Sequence, residues 1–415
     1  MNTQPHLQPV EQSQRIAVVD ILRGFAIMGI LVVNVLYFFN PWLGSMGSGT
    51  PADEVVKGIT NTLFTSKFFT LFSFLFGLGM YIQMSRAEAK GVSFLPVYLR
   101  RLFFLALFGL AHAVFLWTGD ILLLYAMVGL ITVLLFRRRS PRALMIWAVV
   151  FIALPILFLI LSTAGVQAAR LAPPEANAFA QVQESFAAQA AEADAQNRAA
   201  LETYRDTSWL RITRFRIREY FAVTAVSGLF MAPSVLGMFL LGLRAGKRRW
   251  FSDEATSLEV ARRLVRFALP LGLVLNLFVG LSGFEQNRLG LELLTWMHAA
   301  QNTALGVGSV LLSLSYMALI VLAVQRPLGQ RVLGHLAPVG RMALSNYIMH
   351  SVVMSTLAYG YGAGLYGRLS LAWGFALAFI LYALQIPLSA WWLRRFRYGP
   401  LEWLWRLLTY GTVPR

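Results

Sequence analysis

Cysteine is absent from all 415 residues, which removes disulfides, thiolate nucleophiles and Cys-ligated metal centres from consideration. Charge is scarce as well. Only 13% of residues are Asp, Glu, Lys or Arg, where a soluble globular chain carries about 25%. Acids are the scarcer sign, 19 against 36 Lys and Arg, and histidine occurs five times. With 57% of its residues hydrophobic, such a chain belongs in a bilayer. The net charge of +17 does not point to nucleic acid, because no basic-aromatic platform or base-reading motif occurs. The basic residues instead cluster in short loops between apolar runs, as membrane topology requires. Residues 1–14 lack the basic start and small-residue cleavage site of a signal peptide, so the first span is expected to be retained.

Hydrophobic runs mark ten spans: 16–39, 68–84, 94–117, 121–136, 143–163, 220–243, 267–284, 299–324, 342–358 and 371–393. Fold class follows: an all-α integral membrane protein, about ten transmembrane helices in one polytopic bundle over 1–415. With ten spans, the groups around Arg15, Arg100 and Arg101, Arg137 to Arg139, Arg244 to Arg249, Arg341 and Arg394 to Arg397 fall on one side. The positive-inside rule makes that side cytoplasmic, with both termini inside. Residues 164–219 form a long extracytoplasmic insertion. Its segment 175–204 is rich in Ala, Gln and Glu and expected to be helical. It is either a surface hairpin or a lid. Residues 394–415 alternate basic and aromatic side chains and read as an interfacial tail. The glycines around Gly77, Gly79, Gly237 and Gly242 read as close helix packing.

Charged groups inside a spanning helix are costly and mark interiors or sites. Asp20, Arg23 and Asn34 lie inside the first span. At about 100° and 1.5 Å per residue, Arg23 and Asn34 share a face some 16 Å apart. His112 repeats this pattern eleven residues after Arg101, and Asp120 follows beyond a tight turn. A carboxylate beside an imidazole fixes its tautomer and raises its basicity, as a general base needs. Interhelical hydrogen bonding accounts for His350 beside Asn346 and Tyr347, while His298 near Glu292 is a lesser polar contributor and His335 lies in a turn. No His-Glu-x-x-His occurs, so no metal is expected. No Gly-x-Ser-x-Gly elbow supports a Ser-His-Asp hydrolase. Arg23, Arg100, Arg101, Arg244, Lys247 and Arg341 ring the inner helix ends, where guanidinium groups suit phosphate.

The blocks VDILRGFAIMGILVVN, FTLFSFLFGLG, RRLFFLALFGLAHAVFLWTGDILLLYA, GMFLLGLRAGKRRW, GRMALSNYIMHS and GPLEWLWRLLTYG resemble, in order, those of the YeiB-like bacterial membrane proteins, a family carrying a domain-of-unknown-function label. The first block also resembles the opening helix of the transmembrane acyltransferases, among them heparan-alpha-glucosaminide N-acetyltransferase and O-acyltransferases of bacterial glycans. Those proteins share an Asp-x-x-Arg-Gly start and, ten residues on, an Asn or His; here these are Asp20, Arg23, Gly24 and Asn34. The resemblance implies a bundle in which cytoplasmic acyl-CoA donates its acyl group to an extracytoplasmic acceptor, a glycan or envelope lipid. Arg23, with Asp20, Arg100 and Arg101, would then hold the CoA phosphates. The heparan enzyme has a histidine after the Asn, whereas 35–58 here has none, so His112 is the expected base, oriented by Asp120. Asn34 is expected to donate to the oxyanion, a contribution of about 3 kcal/mol. A multi-pass permease, with the same polar residues along a substrate path, is the alternative. A third reading is a lipid-handling or scaffold protein whose intramembrane polar groups serve packing.

Overall fold

The computed structural model describes residues 17–42, 49–173, 177–284 and 294–411. Among these, the regular secondary structure is helical throughout. In chain order the helices are α1 (Ala17–Phe38), α2 (Pro51–Leu63), α3 (Lys67–Ala89), α4 (Phe94–Phe115), α5 (Leu122–Ile131) and α6 (Pro141–Leu171). Next come α7 (Ala178–Thr203), α8 (Trp209–Glu219), α9 (Ala225–Lys247), α10 (Glu254–Arg263), α11 (Leu269–Leu281) and α12 (Trp296–Ala323). The last five are α13 (Pro327–Gly334), α14 (Ala337–Arg341), α15 (Ala343–Ala358), α16 (Leu371–Arg395) and α17 (Pro400–Tyr410).

Among the described residues, eight helical stretches are long and apolar enough to cross a membrane. The chain is an all-α multi-pass membrane protein. Each of the ten hydrophobic runs coincides with a helix. The two that fall short of eight-stretch length are Leu122–Phe136 and α15, whose 16 residues reach only about 24 Å against a hydrocarbon core of roughly 30 Å. Some stretches are longer than their hydrophobic runs. α2 and α3 together cover Pro51–Ala89, and α8 and α9 cover Trp209–Lys247, 39 residues each. The expected insertion 164–219 comprises the end of α6, α7 and α8. α6 continues to Leu171, α8 is already part of the next long stretch through a π-helical turn at Tyr220–Thr224, and α7 lies between them.

Burial sets the order of the layers. In α1, 72% of the apolar window is buried, against 11% in α6. α1 is therefore the bundle's central helix, packed on α3, α12, α14, α15 and α16, and α6 presents its apolar side chains outward. Glycines set the closest approaches. A Cβ on Gly77 would come 2.0 Å from the Phe239 carbonyl oxygen, and one on Gly242 1.9 Å from that of Phe74. α3 and α9 thus touch backbone to backbone, as small-residue membrane interfaces allow.

Candidate functional site

A cavity of about 240 Å³ lies against α1. Val19, Asp20, Arg23, Ile27 and Ile30 line it, the three- and four-residue spacing of one helical face. The eleven steps from Val19 to Ile30 run about 16 Å along the helix. Five guanidinium groups stand on its wall, those of Arg23, Arg86, Arg101, Arg341 and Arg406, with the carboxylates of Asp20 and Glu402.

Two glycines assemble this wall. A Cβ on Gly340 would lie 1.8 Å from the Asp20 carbonyl oxygen, and one on Gly24 2.2 Å from that of Leu336. Because neither has one, α14 rests directly on α1, and Arg341 shares the wall with Asp20 and Arg23. The Arg23 Nη1 donates to Asp20 Oδ1 at 3.0 Å, and the pair stays partly open to the cavity. Gly79 of α3 stands beside this guanidinium, where a Cβ would meet Arg23 Nη2 at an ordinary contact distance of 3.6 Å.

The C-terminal helix closes the opposite side. The Arg101 guanidinium stacks 3.6 Å from the Trp405 ring centre, and Trp405 Nε1 donates to the Arg101 carbonyl at 3.0 Å. Glu402 Oε1 accepts from the Leu344 and Ser345 amides at 2.7 and 3.0 Å, and Oε2 from the Ser345 hydroxyl at 2.5 Å. These amides belong to the first turn of α15, whose donors have no partner within the helix. A carboxylate nearly sixty residues downstream thus caps it. Burial pushes the Glu402 carboxyl above its usual range, and the Ser345 hydroxyl and the two amides pull it back. Within the expected interfacial tail 394–415, Glu402, Trp405, Arg406 and Tyr410 of α17 form part of the cavity wall. The Tyr98 hydroxyl and Arg101 Nε are buried in that wall without a hydrogen-bond partner among the described residues.

Tyr125 and Tyr347 also line the cavity. Behind them sits His112, 1% exposed and not part of the lining. Its ring is 5.0 Å from that of Tyr347, whose hydroxyl donates to the Gly119 carbonyl at 3.3 Å. His112 Nδ1 lies 2.8 Å from Asp120 Oδ2, and Asp120 Oδ1 accepts from the Leu123 amide at 2.8 Å, capping α5. His112 Nε2 lies 2.6 Å from Ser351 Oγ. An ionised Asp120 places the proton on Nδ1, leaving Nε2 to accept from the serine hydroxyl.

The structure thus brings Asp20, Arg23 and Arg101 onto one wall and joins His112 to Asp120, with Tyr347 between the two groups. Arg100 is exposed. Asn34 is half-buried on the face of Arg23 and Ile30, one turn beyond the cavity's end. Arg244 stacks on Trp250 and Lys247 donates to the Arg139 carbonyl, both off the lining. His350 bonds to Gln385 and Asn346 to Ser389, the interhelical role expected of them. Glu292 lies outside the described residues. Sequence reasoning missed Arg86, Glu402, Trp405 and Arg406 on the wall, and it missed Ser351, which meets the imidazole without any Gly-x-Ser-x-Gly elbow. Among the described residues, no group of three or more His, Asp or Glu is placed to hold a metal.

Fold and site define a class: a multi-pass helical membrane protein with an arginine-walled cavity between its opening and closing helices. The chain belongs to the YeiB-like family of bacterial membrane proteins. Residues 245–412 match the family described as "Protein of unknown function (DUF418)", a region that supplies Arg341, Ser351, Glu402, Trp405 and Arg406. The chain is 34% identical to "Uncharacterized protein YxaH" of Bacillus subtilis (strain 168), over 97% of this chain and 96% of that one. It is 28% identical to "Uncharacterized protein YeiB" of Escherichia coli (strain K12), over 95% and 96%.

Proposed function

We propose that this protein is a transmembrane acyltransferase of the bacterial inner membrane. It takes an acyl group from cytoplasmic acyl-CoA and gives it to an extracytoplasmic acceptor, a glycan or envelope lipid. The observation that carries the reading is the cavity itself. Five guanidinium groups face two carboxylates on its wall, and an apolar stretch of α1 continues inward from Arg23 through Ile27 to Ile30. Such a site suits a ligand with a phosphate-bearing head and an apolar end, since guanidinium binds phosphate in a planar, two-pronged fashion. The Asp-x-x-Arg-Gly resemblance of α1 supports the same reading. Arg23 and Arg101 hold the phosphates in it, Asp20 orients Arg23, and His112, held by Asp120, is the base.

The test is transfer of a radiolabelled acyl group from acyl-CoA to envelope material in membranes containing the protein. Transfer is expected with the wild type and lost in His112→Ala at equal protein level. Full transfer by His112→Ala removes this chemistry. One observation favours a permease as the second reading. His112 is sealed behind Tyr347 rather than lining the cavity, as a closed gate would be. Accumulation of an anionic solute in proteoliposomes, with no covalent product, selects that reading.

A further inference from the structure

We propose that Ser351 is a nucleophile that carries the acyl group covalently, and that Ser351, His112 and Asp120 form a Ser–His–Asp triad shielded from the cavity by Tyr347. Only the identity of the acyl donor rests on the acyltransferase reading; the triad rests on its own geometry. Its three members come from α15, α4 and the turn before α5, with 2.6 Å from Ser351 Oγ to His112 Nε2 and 2.8 Å from Nδ1 to Asp120 Oδ2. Asp120 is anchored in turn by the Leu123 amide. This is the chain of contacts by which a base activates a serine and a carboxylate holds the base.

Several hydroxyls in these helices bond back to their own helix, and Ser351 does not. Ser73, Thr132 and Ser315 each donate to the carbonyl four residues back, at 2.7 Å. Ser351, completely buried, points its oxygen at the imidazole. Tyr347 precedes it by one turn on the same face of α15, lines the cavity and packs against His112. Its side chain therefore touches both the cavity and the imidazole, and its hydroxyl donates to the Gly119 carbonyl in the turn that carries Asp120.

The chemistry balances in two halves. The Ser351 hydroxyl attacks the thioester carbonyl and its proton passes to His112 Nε2. The carbon–sulfur bond breaks, and His112 returns the proton to the departing thiolate, leaving free thiol and an ester on Ser351. An acceptor hydroxyl or amine then gives a proton to His112 and attacks that ester. The serine oxygen leaves and recovers the proton. Asp120 holds the imidazole and stabilises the imidazolium throughout.

The experiment incubates the full-length protein, in nanodiscs, with a fluorophosphonate and locates the adduct by intact-mass and peptide mass spectrometry. An adduct is expected on Ser351, absent from Ser351→Ala, at least about a hundredfold slower in His112→Gln and faster in Tyr347→Ala. Because the chain has no cysteine, Ser351→Cys introduces one reporter thiol. Its alkylation is expected to reach half-maximum below the ordinary thiol pKa of about 8.5 and to move upward when His112→Gln is added. Thermal unfolding of each variant separates lost chemistry from lost fold. No adduct in either wild-type or Tyr347→Ala protein overturns the assignment, and so does equal labelling of a folded His112→Gln variant. Coenzyme A binding on the same samples keeps the two readings apart: an adduct without binding retains the triad and removes the donor, and binding without an adduct does the reverse.

Discussion

Glu402 offers the clearest calculation. In Glu402→Ala the Leu344 and Ser345 amides and the Ser345 hydroxyl lose the carboxylate that accepts from them at 2.5 to 3.0 Å. Loss of a helix cap costs about 0.5–2 kcal/mol. Stranding buried donors adds about 1–3 kcal/mol, so a loss of about 3 kcal/mol is expected. In a chain this long that corresponds to a fall of about 3 °C in the unfolding midpoint, readable by tryptophan fluorescence in detergent. Glu402→Gln keeps one acceptor oxygen for the amides, and its loss should be about a third as large. α17 should also loosen in the Ala variant, because Glu402 ties it to α15, and limited proteolysis should cut before Pro400 sooner. An Ala variant that unfolds within about 1 °C of wild type would show that α17 is held by something other than this cap.

Gly340→Ala drives a methyl group toward the Asp20 carbonyl oxygen, at 1.8 Å in the unrelaxed geometry, so a destabilisation of about 1–3 kcal/mol or more is expected together with weaker ligand binding as Arg341 shifts. Gly165→Ala, in α6 with nothing within 4 Å, is the control and should stabilise by up to about 1 kcal/mol; thermal unfolding checks both. Arg23→Gln should weaken coenzyme A binding about tenfold, or about 1.4 kcal/mol, and flatten its salt dependence in titration calorimetry. Arg216→Met removes a wholly buried cation that donates to the Val114 carbonyl and faces the Tyr359 ring. Loss of that hydrogen bond, about 1–3 kcal/mol for a charged donor, is expected as a lower unfolding midpoint.

The membrane helices were legible because apolar runs of 16 to 26 residues leave few other options, and Asp20 and Arg23 stood out as charges within such a run. The His112–Asp120 pair was legible too, since eight residues and a tight turn separate its members. The rest of the site depends on contacts distant in sequence. Ser351 lies 239 residues from His112, and Trp405 lies 304 from Arg101; no periodicity within one helix encodes either. Arg86 and Arg406 read as ordinary basic residues at a membrane surface, because helix ends carry such charges whether or not a cavity opens between them. Glu402, one of few acids near that surface, was the signal available. A lone carboxylate among arginines and tryptophans needs a partner, and the partner was the first turn of α15.

Coenzyme A binding to the purified protein, measured by titration calorimetry in nanodiscs at low and high salt, tests the account at its centre. Saturable binding is expected with the wild type, weakened by salt and further weakened in Arg23→Gln and Arg101→Gln. Binding that is absent, or unchanged when those two guanidinium groups are removed, contradicts an anion-holding cavity against the opening helix.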